Sequence, residues 1–303
     1  MNWIDTVRAD CPSLTIRERV PLSGYTTLRV GGEADYFAEP QTEDEIILLL
    51  RTAKSAGVPV LVLGNGSNLL VRDGGFPGLA VHLGKNYGAV QCSGCLLTAE
   101  AGALLSTLAK TALEHGLTGL EFAHGIPGSV GGGVYMNAGA YGGEMKQVVA
   151  RVRVWDGEGI RELAGEEMDF SYRHSAAMEH GWLILSASFL LTNGNRDEIE
   201  STMRDLSARR REKQPLEYPS AGSFFKRPEG HFAGQLIQQS GLKGLTVGGA
   251  QVSEKHAGFL INRGGATAGD FLTLMEQVQR RVQRDSGVWL ENEVRIIGRE
   301  KEA

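Results

Sequence analysis

His124-Gly-Ile-Pro-Gly-Ser-Val-Gly-Gly-Gly-Val-Tyr-Met-Asn-Ala-Gly-Ala-Tyr-Gly-Gly143 places eight glycines in twenty residues. The stretch reads as a structureless loop, and a loop of that length inside a compact domain is normally functional. Small residues let a backbone come close to a flat or phosphorylated ligand. Ser129, Asn137 and the bare N–H groups offer donors for phosphate and carbonyl oxygens. A second loop, Gly64-Asn65-Gly66-Ser67-Asn68, follows the apolar run Val58–Leu63, the pattern of a buried strand leaving its sheet. Consecutive N–H groups in such a turn can face one anion, with Ser67, Asn65 and Asn68 adding donors. The loop is not a dinucleotide fingerprint: G-x-G-x-x-G fails at Leu69, no helix pattern follows, and no G-x-x-x-x-G-K-[ST] loop occurs in the chain. Two glycine loops, both after sheet segments, point to an extended ligand with a pyrophosphate.

Working outward, Thr42 and Glu45 form a capping box for a helix over 42–57, with Ile46, Leu49, Leu50 and Ala53 on one face. Leu69–Val71, a turn at 73–78 and Leu79–Leu83 read as a small β unit, and Leu96–Ala101 as a strand. Ala103–His115 reads as a helix closed by Gly116. Val148–Trp155 turns at Asp156–Gly159 as a hairpin strand, and Trp182–Thr192 is a long apolar strand. Beyond residue 195 the composition changes. A charged helix, Arg196–Lys213, carries Ile199, Met203 and Leu206 on one face and ends before Pro215. A second helix spans Gly269–Gly287, with Phe271, Leu274, Met275, Val278 and Val282 inward. Val288–Gly298 reads as a terminal strand with Trp289, Glu291, Glu293, Arg295 and Ile297 on one face.

The 303 residues suggest two domains at roughly 150 residues each. With 42% hydrophobic and 22% charged residues, the chain can bury a sizeable core, which excludes disorder as a whole-chain state. A net charge of −5 provides no global attraction to nucleic acid or an anionic membrane, so an anionic ligand needs a local site. The aliphatic runs Ile46–Leu50 and Val58–Leu63 are far too short to span a bilayer. Met1–Asp10 has two acids and no apolar stretch, so no signal peptide is expected and the cytoplasm is the default. Cys11, Cys92 and Cys95 are too few for a disulfide scaffold. Cys92 and Cys95 could form a redox or metal pair, but no second Cys/His pair stands near, and thiols beside a turn is the plainer reading.

Thr27-Leu-Arg-Val-Gly-Gly32, Leu63-Gly-Asn-Gly-Ser-Asn-Leu-Leu-Val71 and Gly125-Ile-Pro-Gly-Ser-Val-Gly-Gly132, followed by Met136-Asn-Ala-Gly-Ala-Tyr-Gly142, together resemble the UDP-N-acetylenolpyruvoylglucosamine reductases. These are flavin enzymes of peptidoglycan precursor synthesis. The resemblance runs from about residue 20 to 298. It implies an α+β chain: an N-terminal segment (1–20), then an FAD-binding domain of the p-cresol methylhydroxylase and vanillyl-alcohol oxidase type (21–195, in parts of about 21–83 and 84–195), then a smaller α+β substrate domain (196–303). It assigns non-covalent FAD to Arg29, Gly64, Asn65, Gly66, Ser67, Asn68, Gly125, Ile126, Pro127, Gly128, Ser129, Gly133, Asn137, Gly139 and Tyr141.

Three further segments complete the resemblance. Ser171-Tyr-Arg-His-Ser175 matches the family segment whose Arg is catalytic, here Arg173. Ser220-Ala-Gly-Ser-Phe-Phe-Lys-Arg-Pro228 matches the proton-donor segment, which points to Ser223, and Leu290-Glu-Asn-Glu-Val-Arg-Ile-Ile-Gly298 points to Glu293. The implied reaction uses NADPH to reduce FAD, then delivers hydride from flavin N5 to C3 of the enolpyruvyl ether. Charge grows as an enolate onto the substrate carboxylate, and Ser223 supplies the proton to C2. A fixed guanidinium suits that charge, since Arg stays protonated and presents a planar fork. Glu293 would support the enol or enolate by carrying a proton or orienting a water.

Tyr172, Lys213, Lys226 and Arg227 are the implied substrate contacts. Arg227 stands where the more familiar segment has Asn. Arg209–Arg211 and Lys213 fit either a solvated helix end or contact with the substrate diphosphate, and Ser253–His256 fits either a substrate segment or a structural hairpin. Only Ala176–Leu183 separates the Arg173 segment from the next strand, which is the short-loop pattern. The expected partners are the UDP-sugar and NADPH, with neither nucleic acid nor membrane, and the expected state is a monomer. A flavin oxidase of the same fold class is the competing reading; many of those attach flavin through a His or Cys in the first glycine loop, and Gly64–Asn68 has neither.

Overall fold

The structure, a computed structural model, describes residues 3–301; Met1, Asn2, Glu302 and Ala303, the ends of the first and last expected segments, lie outside the described residues. The chain forms two compact units, each assembled from separate stretches. The described parts of the first are 3–17, 36–65 and 78–210, and those of the second are 18–35, 66–77 and 211–301. This packing division differs from a contiguous one at residue 195. Its cause is a parallel ladder in the second unit, in which Leu69, Leu70 and Val71 pair with Arg295, Ile296 and Ile297. Leu28, Val30 and Leu70 are buried with Phe224, Phe271 and Val278 in that unit's core. Parallel strands need a long crossover, so local sequence could not announce this pairing.

The first unit is built on a five-stranded antiparallel sheet in the order Ile160–Ala164, Val149–Trp155, Leu183–Leu190, Leu96–Glu100, Val90–Ser93. Helices Leu105–Glu114 and Val130–Tyr135 contribute Leu105, Leu108, Val130 and Val134 to its core. A second core in this unit forms around Trp3, Ile46, Leu49, Ala53 and Val81. Helix Glu43–Ser55 is capped by the Thr42 hydroxyl, which accepts from the Glu45 N–H at 3.2 Å. The expected reciprocal box is displaced by one residue, because the Glu45 carboxylate takes the N–H of Gln41 at 2.6 Å. Val60–Leu63 pairs in parallel with Leu79–His82. The expected small β unit over 69–83 is therefore divided, with its first strand in the second unit.

In the second unit a four-stranded antiparallel sheet runs Ser220–Ser223, Phe259–Asn262, Ala250–Val252, Thr246–Val247. Helix Ala268–Ser286 buries Phe271, Leu274, Val278 and Val282 on one face, as the 3.6-residue period predicts. Its N-terminus is held by Thr267 and Asp270 in a capping box and by the Asp73 carboxylate, which accepts from Ala268 N and Gly269 N at 2.9 and 2.8 Å. The expected terminal strand over 288–298 shortens to Arg295–Ile297. The alternation breaks because the N–H groups of Glu293 and Val294 both turn to the carbonyl of Phe224.

Candidate functional site

In the first unit, the two glycine stretches are clasped together. Asn65 Nδ2 donates to the Pro127 carbonyl at 2.7 Å, and a Cβ on Gly64 would collide with the Ser129 hydroxyl. Gly64 is thus required by loop-to-loop packing, where the sequence suggested close approach to a ligand. Gly133 is likewise buried, with room for a Cβ only 3.0 Å from Leu105 Cδ1. The stretch 124–143 is also not structureless. Ser129, itself buried, caps the short helix Val130–Tyr135 by accepting from Gly132 N at 3.4 Å. Gly139–Ala140 then pairs with Gly143–Glu144, leaving Tyr141 exposed at the turn. Ile126 N donates to the Ala123 carbonyl, and the Gly128 carbonyl accepts from Leu105 N, each at 3.0 Å.

The side chain of Asn137 is committed to protein partners. Its side chain is 1% exposed, and all of its amide's polar atoms are engaged by protein. Nδ2 donates to Glu144 Oε2 and to the Ser171 carbonyl, each at 3.0 Å, and Oδ1 accepts from Lys146 N at 2.9 Å. Both amide protons are used, so the side chain has no donor left for a cofactor oxygen. Ser171 opens the turn that carries Arg173: Ser171 and His174 exchange backbone hydrogen bonds across Tyr172 and Arg173. The Arg173 guanidinium lies 5.1 Å from the centre of the exposed Tyr172 ring.

Six non-glycine residues among those described have positive φ, and four belong to the expected site: Arg29 (57°), Asn137 (41°), Tyr141 (54°) and Arg173 (56°). A left-handed conformation costs a residue with a Cβ about 1–2 kcal/mol. Such strain persists where surrounding structure over-determines it, and it concentrates at functional sites.

The second unit brings together three motifs that are distant in sequence. Asn68 Nδ2 donates to the Glu293 carbonyl at 3.1 Å, and Asn68 O accepts from Arg295 N at 3.0 Å. Glu293 N donates at 2.9 Å to the carbonyl of Phe224, the residue after Ser223. Lys226 N donates to Glu291 O, and Phe225 bridges Asn292. Ser223 itself is exposed at the end of its strand, where a register shift and Gly222 (φ 74°) turn the chain. Gly66 is left-handed (59°) and has no space for a Cβ against the Tyr25 carbonyl. Lys226 pairs with Glu291 at 3.2 Å, Arg227 stacks 4.0 Å from the Phe232 ring centre, and Lys213 is exposed. His256 belongs to a tight turn, in which Ser253 Oγ accepts from Lys255 N and His256 N.

Of Arg209–Arg211, which the sequence left between a solvated helix end and a diphosphate contact, the structure separates one member. Arg210 is half-buried beside Gly125, where a Cβ would meet its Nη1 at 3.2 Å, and no described carboxylate pairs with it. Burial holds its guanidinium below the usual arginine value. A signal did exist: Ile199, Met203, Leu206 and Arg210 fall at successive steps of four, three and four, so Arg210 continues the inward stripe. Nearby, burial and then the Lys110 charge hold His124 below the ordinary histidine value, against a backbone hydrogen bond at Ser106. The buried Nδ1 of His124 and the buried hydroxyl of Thr27 have no hydrogen-bond partner. Within the first unit, the Arg210 guanidinium with no described carboxylate partner and the orphaned ring nitrogen of His124 fit a phosphate-bearing cofactor such as FAD.

Comparison with known proteins agrees with that chemistry. Residues 34–163 match the FAD binding domain model, which makes the protein an FAD-binding oxidoreductase. Residues 214–297 match the C-terminal domain of UDP-N-acetylenolpyruvoylglucosamine reductase. The UDP-N-acetylenolpyruvoylglucosamine reductase of Lactobacillus helveticus is 50% identical over 289 residues, covering 95% of this chain and 97% of that protein. The one from Clostridium novyi is 51% identical over 288 residues, covering 95% and 94%. The crystal structure of UDP-N-acetylenolpyruvylglucosamine reductase (MurB) from Thermus caldophilus superposes with a TM-score of 0.81 at 38% identity, covering 93% of this chain and 99% of that one. The chain belongs to the UDP-N-acetylenolpyruvoylglucosamine reductase family.

Proposed function

We propose that Arg173, Ser223 and Glu293 carry the family's reaction in this protein. That reaction reduces the enolpyruvyl ether of UDP-N-acetyl-3-O-(1-carboxyvinyl)-glucosamine to the lactyl ether of UDP-N-acetylmuramate, in peptidoglycan precursor synthesis, with NADPH as electron donor. Bound FAD would supply the hydride-transfer chemistry between NADPH and the substrate alkene.

The protein's own groups manage charge and a proton. Arg173 is preorganised by its turn and always charged, so it stabilises negative charge on the substrate carboxylate without having to reorient. Ser223 gives its hydroxyl proton to the substrate carbon next to that carboxylate. Glu293 supports the enol or enolate by carrying a proton or orienting a water, and Tyr172, Lys213, Lys226 and Arg227 contact the UDP-sugar. FAD is held non-covalently, since Gly64–Asn68 contains neither His nor Cys. Arg29, Gly64 to Asn68, Gly125 to Ser129, Gly133, Gly139 and Tyr141 form its surroundings. The enzyme works in the cytoplasm as a monomer on small molecules. A net charge of −5 gives no general attraction to nucleic acid or an anionic membrane, which supports small molecules as the partners.

The observation that carries the reading is the hydrogen-bond chain from Asn68 through Glu293 to Phe224. It joins a glycine-loop residue, the expected carboxylate and the segment of the expected proton donor. The test is anaerobic reduction by NADPH followed by addition of the enolpyruvyl UDP-sugar. Ser223→Ala should bind FAD and be reduced by NADPH normally, yet reoxidise very slowly with substrate, while Ser223→Cys should retain more activity. Rapid reoxidation of the Ala variant would exclude Ser223 as the obligatory donor.

A further inference from the structure

The five residues around Arg173 have little core of their own. Ser171 and Tyr172 are exposed, and Arg173 and His174 are half-buried. Among the contacts that hold the segment are two side-chain bonds to the end of the helix in the second glycine stretch. Asn137 Nδ2 donates to the Ser171 carbonyl at 3.0 Å, and the buried Ser175 hydroxyl donates to the Tyr135 carbonyl at 2.7 Å. The two ties bracket the turn, one at each end. Between them Arg173 sits at φ 56°, a conformation an arginine leaves unless its surroundings hold it there.

The chemistry at position 137 is narrowly specified. One amide must give two protons, to the Glu144 carboxylate and the Ser171 carbonyl, and accept one from Lys146 N. Of the short side chains, only asparagine offers two donors and an acceptor in that plane. Asparagine also tolerates the left-handed backbone found here, at φ 41°. Aspartate would fit the space, but it would lose both protons and set a second negative charge against Glu144.

We propose that Asn137 is a positioning residue for the reduction: its amide fixes the Ser171 carbonyl and so aims Arg173 at the charge that develops on the substrate. Asn137 does this from within the glycine stretch, without itself touching cofactor or substrate. The proposal rests on the catalytic role given to Arg173 above.

The experiment is a double-mutant cycle on the FAD-loaded enzyme, with each half-reaction followed separately under anaerobic conditions. Asn137→Gly removes the amide while keeping the positive φ free of strain. Asn137→Asp keeps the shape and the acceptor. Both should retain FAD and be reduced by NADPH at the rate of the unaltered protein. Both should reoxidise with the enolpyruvyl substrate about 10²-fold more slowly, the size expected for misplacing a reacting group by about 1 Å. The loss should appear in kcat and leave KM nearly unchanged. Asn137→Gly combined with Arg173→Ala should be no slower than Arg173→Ala alone, because the amide acts only through the arginine. Backbone hydrogen exchange at Lys146 and across 171–175 in the FAD-free Asn137→Gly protein should quicken.

Multiplicative losses in the double variant would overturn the proposal, as would equal slowing of both half-reactions or loss of flavin in Asn137→Asp. An Arg173→Ala enzyme that reoxidises at the normal rate would instead refute the role given to Arg173, and the inference with it, so the two failures are distinguishable.

Discussion

The two units hold their proposed catalytic residues by different means. In the first, Arg173 sits on a strained, solvent-facing turn tied down by side chains, namely the Asn137 amide and the Ser175 hydroxyl. In the second, the Ser223 and Glu293 segments are joined mainly through backbone, with Phe224 O accepting from Glu293 N and Glu291 O from Lys226 N. There a side chain enters at Asn68, and its target is again a carbonyl. A backbone tie survives substitution, whereas a side-chain tie ends with one. The first unit's geometry should therefore be the more sensitive to loss of a single side-chain tie, and the second unit's sensitivity should be confined to residues that react and to positions where the backbone has no room for a side chain.

The largest effect should follow from Arg173→Lys. Loss of the planar fork should slow substrate-driven reoxidation about 10²–10³-fold, as does loss of one preorganised donor to an oxyanion. NADPH-driven flavin reduction should be largely unaffected, and stopped-flow absorbance reads both steps. Equal loss in both would mean that Arg173 serves the flavin site or folding, and the contrast between the units would fail.

Gly66→Ala probes the second unit where its backbone has no slack. A left-handed alanine costs about 1–2 kcal/mol, and the collision with Tyr25 O adds an overpacking cost of about 1–3 kcal/mol. A matching fall in urea-unfolding stability and in FAD content is expected.

Asn68→Ala sharpens the comparison further. One lost hydrogen bond to the Glu293 carbonyl is worth about 0.5–1.5 kcal/mol. Because Phe224 still holds Glu293 N, turnover should fall by about tenfold at most, less than for Asn137→Gly. A larger loss would show that the backbone ties are not sufficient.

The smallest effect is one of pH. Burial holds His256 below the ordinary histidine value, followed by an opposing hydrogen bond at its own backbone and a lowering contribution from the Lys243 charge. Its folded pKa thus lies below its unfolded value of about 6.5. Above that pH both states are neutral and nothing is lost. As pH falls below it the unfolded state binds the proton first, so stability declines until the folded pKa is passed. His256→Gln should flatten this part of the profile, as measured by urea midpoints between pH 8 and pH 5. An unchanged slope would assign the decline to other groups, with His124 in the first unit the next to substitute.

The sequence by itself determined the elements whose signals are local. Helix Arg196–Lys213 has the bounds its periodicity and Pro215 predict, and Ala268–Ser286 is shifted by one residue from the expectation. Motif order and spacing were enough to identify the family, because the segments around Arg173, Ser223 and Glu293 are specific as a set. Only the tertiary structure decided how these segments are held. That Leu69–Val71 pairs with Arg295–Ile297 is a non-local choice made by the shared core of the second unit. That Gly64 is needed against Ser129, and that the Asn137 amide bonds to Ser171, depends on residues 65 and 34 positions away. A glycine or an asparagine in a glycine-rich stretch announces close approach and free donors. What it approaches and what it binds are set by whichever backbone folding brings alongside.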